Sequence, residues 1–503
     1  MMIPLLQIVG ADQVRAISLG NCPTAGVATE LPIPGAREPV IAHKKKAWEA
    51  ALGGERAAKP HIQSRLSGWP EHALADRGTL PHTDREFAQR VAGDTWRGLD
   101  AFTDRENGLP IDNIRLSRTT VDIADCRIGD YTSATDIGLH LIDIVAAHAL
   151  QLLSRAAAID KARRLLITVS QLESYHGFLF NFYDTTSKER TSNFISFVDS
   201  SWLTAGLIVV RQTFPELAHD SSALIARMDY SFFYDHTSHQ VSHGYYVTPG
   251  ARSPYDYGML YTEARLGSLI AIGKGDVPET QWFHMARTLP ETCPGQSLTP
   301  TATRRKRVRG HDFAAGYYEW KGTRYIPSWG GSMFEALMPT LVLDEQRYAA
   351  SSLGRNDMAH AIVQRQYAID QLGYRVWGMS PSAAPAGEIY GEYGVKVLGV
   401  RGYGAGTVTP HASGLALVVT PEAALANLRT LAELYDIYGE YGFYDAVDPR
   451  SGTVAYEYLA LDQSMLFIAL ANYLDEGYVP KRFAADPIVQ HVLPMIADEK
   501  FFE

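Results

Sequence analysis

Apolar residues recur at helical spacing over most of this chain. The pattern predicts helices over 84–102, with Asp84 as its cap, and over 132–150, 154–175, 196–214, 222–230, 258–272, 334–343, 356–372, 421–438, 457–474 and 486–497. Residues 177–183, carrying Phe178, Phe180, Phe182 and Tyr183, read as extended. That makes roughly ten to twelve amphipathic helices, joined alternately by short turns and long Gly- and Tyr-rich loops. The longest connections are 232–256, 274–327, 377–404 and 440–450. Neither a strand series nor a Gly-rich nucleotide loop is legible, which excludes a dinucleotide-binding fold, and no fixed-period repeat stands out. The expected class is all-α. Helix pairs wound into a closed toroid would gather the long loops at one end, as the walls of a pocket. Residues 1–85, rich in Pro, Ala and basic residues, read as a partly irregular N-terminal extension with a short helix near 42–52. Residues 86–503 read as one helical domain.

Composition narrows the partner. The formal net charge is −10, and hydrophobic residues make up 46% of the 503; an acidic chain of this kind is poorly suited to nucleic acid. The run Arg304-Arg305-Lys306-Arg307 is short enough to be a solvated loop. The apolar runs fall short of membrane-spanning length, so no transmembrane segment is expected. The first residues lack the basic stretch of a signal peptide. Three cysteines, Cys22, Cys126 and Cys293, allow at most one disulfide and show no metal spacing. His236, His239 and His243 lie close in sequence, but no helix or hairpin frames them as ligands. Neither a metal nor a cofactor is therefore expected, and oligomeric state is not legible.

With 27 Tyr and 8 Trp, many beside Gly and Asp in loops, the chain is rich in rings that stack on sugar faces or pack a core. The stretch Ser328-Trp329-Gly330-Gly331-Ser332-Met333-Phe334-Glu335 is the sharpest case. Its glycines permit close backbone approach, and Glu335 falls in a first helical turn, where an anion is favoured. It reads either as a pocket rim or as a buried Trp at a helix entry.

Several loops together resemble the glycoamylase-like family. They are 329–335 (Trp-Gly-Gly-Ser-Met-Phe-Glu), 374–382 (Tyr-Arg-Val-Trp-Gly-Met-Ser-Pro-Ser), 390–395 (Tyr-Gly-Glu-Tyr-Gly-Val), 408–413 (Val-Thr-Pro-His-Ala-Ser), 441–446 (Tyr-Gly-Phe-Tyr-Asp-Ala) and 461–465 (Leu-Asp-Gln-Ser-Met), with Val198-Asp199-Ser200 and Thr262-Glu263-Ala264-Arg265-Leu266. This group includes the β-1,2-glucanases of glycoside hydrolase family 144 and the glycosyl-transferring domain of cyclic β-1,2-glucan synthases. The resemblance spans about residues 90 to 480. It implies an (α/α)6 toroid that hydrolyses or transfers sugars at its loop-rich end. Glu263 matches the family's helix glutamate, a candidate acid, and Asp445 an aspartate associated with the base. Cyclic-glucan synthases carry a glutamate where this chain has Pro381, which favours an inverting hydrolase over a transferase. Family members are often exported, an expectation that the start of this chain does not support.

A glycosidase needs one protonated carboxyl for the leaving oxygen and one ionised carboxylate for water or for direct attack, separated by about 6.5–9.5 Å for inversion or about 5–5.5 Å for retention. Glu263, on a helix after Tyr255-Asp256-Tyr257-Gly258, is the expected acid, or else an ion-pair partner of Arg265. Asp445 is the favoured base, with Asp462, Asp199 and Glu335 as rivals. Trp202, Trp329, Trp377, Tyr255, Tyr390, Tyr393 and Tyr441 are candidate sugar platforms, many of which also suit a core. Asp256, Arg265 and His411 are candidate hydroxyl binders. The leading expectation is a hydrolase of β-1,2-linked glucan. Its rivals are an α-glucan exo-hydrolase, a non-catalytic glycan-binding protein on the same fold and, least of all, a transferase.

Overall fold

The structure is a computed structural model and describes residues 55–503 except 292, 294 and 387–389, with side chains from Ala58 onward. The expected helix near 42–52 and Cys22 lie outside the described residues. The chain is predominantly helical. Its helices are α1 (Glu55–Arg65), α2 (Asp84–Ala101), α3 (Ala134–Ala149), α4 (Arg155–Gln171), α5 (Phe197–Thr213), α6 (Ala218–Arg227), α7 (Arg265–Lys274), α8 (Thr280–His284), α9 (Met333–Leu337), α10 (Glu345–Tyr348), α11 (Leu353–Gln366), α12 (Pro410–Ala416), α13 (Pro421–Leu434), α14 (Ala460–Leu474), α15 (Tyr478–Ala484) and α16 (Pro487–Ala497). From α1, Ala58, Ile62 and Leu66 enter the same core as the later helices.

Caps define where the helices that matter begin. Ser133 and Ser332 each accept from the third residue of the helix, whose own carboxylate accepts from the cap backbone, so α3 and α9 start on reciprocal capping boxes with Asp136 and Glu335. Ser196 caps α5 through Asp199 N–H, and Thr409 caps α12 with Pro410 at its first position. Thr83, not Asp84, caps α2; its hydroxyl accepts from Glu86 N–H while Asp84 is already helical.

Six of these helices are neighbours in series. α3 packs on α5 and α14, α14 on α12, α12 on α9, and α5 on α7. Arg265 ties α7 to α9: its guanidinium donates to Ala336 O at 2.7 Å and to Glu335 O at 3.2 Å. α3 and α5 touch backbone to backbone: a Cβ on Gly138 would lie 2.4 Å from Trp202 O, and one on Gly206 2.2 Å from Gly138 O. α2 covers α14, α4 covers α3, α6 covers α5, α13 covers α12 and α11 covers α9, as an α-helical toroid of inner and outer helices would have them.

The structure corrects the expectation of one long loop over 274–327. Ala302–Val308, His311–Trp320 and Thr323–Tyr325 form a three-stranded antiparallel sheet in register Ala302↔Tyr317 and Trp320↔Thr323. The two-residue turn Arg309-Gly310 has φ of 51° and 86°, as a tight hairpin needs. The basic run is therefore an edge strand, with Arg304, Arg305 and Arg307 exposed. The inward residues are on the other two strands, Phe313, Ala315 and Tyr318 on the second and Tyr325 on the third, and charged side chains on an edge discourage further strand pairing. Short hairpins also occupy the other long loops. One sheet pairs Asn113–Arg115 with both Arg127–Gly129 and Glu457–Leu459, which ties the start of α14 to the loop before α3.

Candidate active site

Glu263 does not lie on a helix. It sits in the turn before α7, with its carbonyl accepting from Leu266 N–H at 3.2 Å. Its side chain is partly exposed while its carboxyl end is enclosed. Burial, reinforced by the Glu335 and Asp199 carboxylates, pushes the Glu263 carboxyl up to about 8. At neutral pH it carries its proton. Tyr257 and Tyr403 stand next to it, and the His243 ring packs 4.2 Å from that of Tyr257.

Two expected neighbours of Glu263 have other work. Arg265 is fully buried. It donates to both oxygens of Glu345 at 2.9 Å, to Thr262 O, Glu335 O and Ala336 O, and its guanidinium lies 4.6 Å from the Tyr261 ring centroid. It is a scaffold cation, with no donor left for a sugar hydroxyl. Glu335 is 6% exposed and accepts from Ser328 Oγ, Gly330 N–H, and both the N–H and Oγ of Ser332, at 2.9–3.1 Å. This carboxylate fastens the Trp-Gly-Gly loop to α9 and is not free to act as base or to hold sugar. The loop is tight: a Cβ on Gly330 would come within 2.0 Å of the Tyr403 ring, and Gly331 has φ of 81°.

The aromatic candidates divide. Trp202, Trp377 and Tyr441 are 1%, 3% and 7% exposed and belong to the core. The backbone of Trp377 is clamped by the Asn427 amide, and Tyr441 packs edge-on against Phe102 at 5.4 Å. Trp329, Tyr255, Tyr390 and Tyr393 stay half-buried, with the Arg401 guanidinium 5.4 Å from the Trp329 ring centroid. Asp256 is half-buried, and its carboxyl is pushed up to about 6 by burial and by Asp235.

The rivals for the second carboxylate lie in two places. Asp199, in the first turn of α5, is half-buried and accepts from Thr135 Oγ1 at 2.6 Å. Asp445, Asp462 and His411 form a separate buried cluster whose donor atoms lie within 4.8 Å of one another. Asp445 Oδ2 accepts from Ala383 N–H at 2.6 Å, and His411 Nδ1 lies 3.0 Å from Asp462 Oδ2. Burial and the neighbouring Asp462 hold the Asp445 carboxyl well above the usual carboxylate range. Burial likewise raises Asp462 to about 8 and lowers His411 to about 4. His411 faces Asp462, not a pocket. The loop histidines are dispersed: His236 packs on Tyr234, His239 on His284 and His243 on Tyr257.

Electrostatic neighbours link these groups around one rim. Asp112 influences Asp136, Asp136 stands by Asp199, Asp199 and Glu335 by Glu263, and Glu335 by Glu392. Burial and the charges of Asp462, Asp445, Glu392 and Asp112 raise the Tyr390 hydroxyl above its usual range. The N-terminal turns of α3, α5, α9, α12 and α14, and the turn before α7, thus contribute acidic or imidazole groups. Asp112, Asp136, Glu392, Tyr257 and Tyr403 were not among the sequence candidates. Glu392 lies inside the Tyr-Gly-Glu-Tyr-Gly motif and Asp136 is the carboxylate of a Ser-x-x-Asp capping box, so a signal existed for both.

Comparison with known proteins agrees with this picture. Residues 296–487 match the Glycoamylase family, described as "Putative glucoamylase". The chain is 24% identical, over 554 residues covering 80% of the chain, to the cyclic beta-(1,2)-glucan synthase NdvB of Rhizobium meliloti (strain 1021), and spans 18% of that protein's length. Its fold is similar to that of the endo-beta-1,2-glucanase from Chitinophaga pinensis, crystallised with sophorotriose and glucose (TM-score 0.62, 16% identity, 83% of this chain and 99% of the other). It is also similar to that of the beta-1,2-glucanase from Parabacteroides distasonis (TM-score 0.65, 18% identity, 83% of this chain and 60% of the other). The resemblance carried by the loop motifs is borne out.

Proposed function

With the glycoamylase-like pattern as premise, we propose that this chain is a glycoside hydrolase of β-1,2-linked glucan, working by inversion on an (α/α)6 barrel whose inner helices are α3, α5, α7, α9, α12 and α14. The observation that carries the proposal is Glu263: an enclosed carboxyl on a partly exposed side chain, protonated at neutral pH, which is the protonation state a general acid needs. Its proton goes to the oxygen of the departing sugar as the C1–O bond breaks. A second carboxylate takes a proton from the water whose oxygen bonds to C1. Asp445 is favoured for that role. It must then act as an anion, whereas burial beside Asp462 favours its neutral form. Asp199 is the rival, nearer to Glu263 and half-exposed. Trp329, Tyr255, Tyr390 and Tyr393 are proposed to stack on sugar rings. Support for the β-1,2 linkage comes from the substrates named for the glucan synthase and the glucanases, and support for inversion from Pro381.

The test is product release from β-1,2-, β-1,3-, α-1,4- and mixed-linkage glucans, with the anomer of the first product read by NMR. The proposal expects release from β-1,2-glucan alone, as the α-anomer, and none from Glu263→Gln. Release from α-1,4-glucan would turn the reading to an exo-hydrolase of glucoamylase type. Tight glycan binding without turnover would turn it to a binding protein.

A further inference from the structure

We propose that His411, Asp445 and Asp462 bind one divalent first-row metal cation, of the Mn2+ or Zn2+ kind, between the starts of α12 and α14. This does not rest on the glycosidase reading; with the cation bound Asp445 is a ligand, and Asp199 is left as the base. The three side chains are 1–2% exposed. Among the described residues no N–H or O–H donor other than a protonated member of the cluster reaches His411 Nδ1, Asp445 Oδ1 or either oxygen of Asp462, although buried polar atoms nearly always find a partner. These atoms face each other instead. His411 Nδ1 and Asp462 Oδ2 are 3.0 Å apart without hydrogen-bond geometry, the spacing that two adjacent ligands with bonds of about 2.0–2.2 Å adopt around a shared cation.

The outward atoms of the cluster are already fixed. His411 Nε2 lies 3.4 Å from Thr409 Oγ1, so the tautomer with its proton on Nε2 leaves Nδ1 free as a ligand. Asp445 Oδ2 is taken by Ala383 N–H, which turns Oδ1 to the centre. Metal-binding histidines and carboxylates are oriented by outer contacts of this sort. Charge points the same way. Among the described residues no Lys or Arg forms an ion pair with either aspartate, and the contact of Asp462 is with His411. Without a cationic side chain the two buried carboxyls ionise only at a cost, and a dication offsets that cost. One imidazole and two carboxylates suit Mn2+ or Zn2+ better than Ca2+, which takes six to eight oxygens. Three protein ligands also leave coordination positions open.

The experiment strips the full chain with a chelator and titrates it with Mn2+, following free ion by electron paramagnetic resonance. One equivalent should bind to the wild type and to Glu263→Gln. Affinity should fall at least roughly tenfold in Asp462→Asn and in His411→Gln, with folding verified by thermal unfolding. Absent saturable binding, or binding equal in all four proteins, overturns the proposal. Should both cluster variants fail to fold, X-ray absorption of the Zn2+-loaded wild type decides. One imidazole nitrogen with oxygens sustains the site; sulfur or several imidazoles overturns it. Because Glu263→Gln is included and no turnover is read, failure here is distinct from failure of the glucan assay.

Discussion

At Glu263, burial and two neighbouring carboxylates combine to keep a proton on the group at neutral pH. The sign of the linkage follows. The folded carboxyl, raised from 4.5 to about 8, binds more proton than the unfolded one between those values, so its contribution to stability falls as pH rises across that window. Glu263→Gln should therefore unfold at a higher temperature than wild type, with the gap opening from pH 5 to pH 8, while turnover drops roughly 10²–10⁴-fold. Scanning calorimetry across pH, beside rate assays, checks both; a gap that does not change with pH would contradict the environment described for this carboxyl. Arg265 makes the opposite case. Arg265→Met strands the buried Glu345, with Asp357 3.9 Å from the guanidinium, and should cost about 3–5 kcal/mol in denaturant unfolding. A cost under about 1 kcal/mol would mean that the ion pair is dispensable. Sequence could nominate Glu263 by its motif, but it could not tell that Arg265 is committed to a partner eighty positions away, nor that Trp202, Trp377 and Tyr441 lie inside. Aromatic residues in glycine-rich loops read alike whether they line a cleft or fill a core.

At the scale of elements, the rim depends on how closely helices approach and how sharply they begin. Gly138 and Gly206 bring α3 and α5 into backbone contact, so Gly138→Ala should destabilise by about 1–3 kcal/mol. Gly93, in α2, has nothing within 4 Å of an added Cβ, and Gly93→Ala should stabilise by about 0.5–1 kcal/mol. Chemical denaturation of the pair tests this, and equal effects would remove the packing argument. Some helix starts were legible in the sequence, although the expected start at 258 falls seven residues before α7 and the cap of α2 is Thr83. The segments around Ser133, Ser196 and Ser332 combine a hydroxyl cap with a carboxylate three residues on, a local signal that needs no tertiary context. The hairpin over 302–320 was hidden because its first strand is nearly all basic and exposed. Its pairing comes from the turn at Arg309-Gly310 and from inward residues on the second strand alone.

For the whole molecule, the helical class could be read from periodicity. The closure of the rim could not, because Asp112, Asp136, Asp199, Glu263, Glu335, Glu392 and Asp462 come from segments far apart in sequence. Four of them, Asp136, Asp199, Glu335 and Asp462, stand in first helical turns, and the other three come from the connecting segments. The most direct test of the account is the release of reducing sugar from β-1,2-glucan by wild type and by Glu263→Gln under identical conditions. The account predicts release by the wild type, first as the α-anomer, and its loss in the variant. Undiminished release by Glu263→Gln would contradict the assignment of the acid, and release from other glucans but not from this one would contradict the proposed substrate.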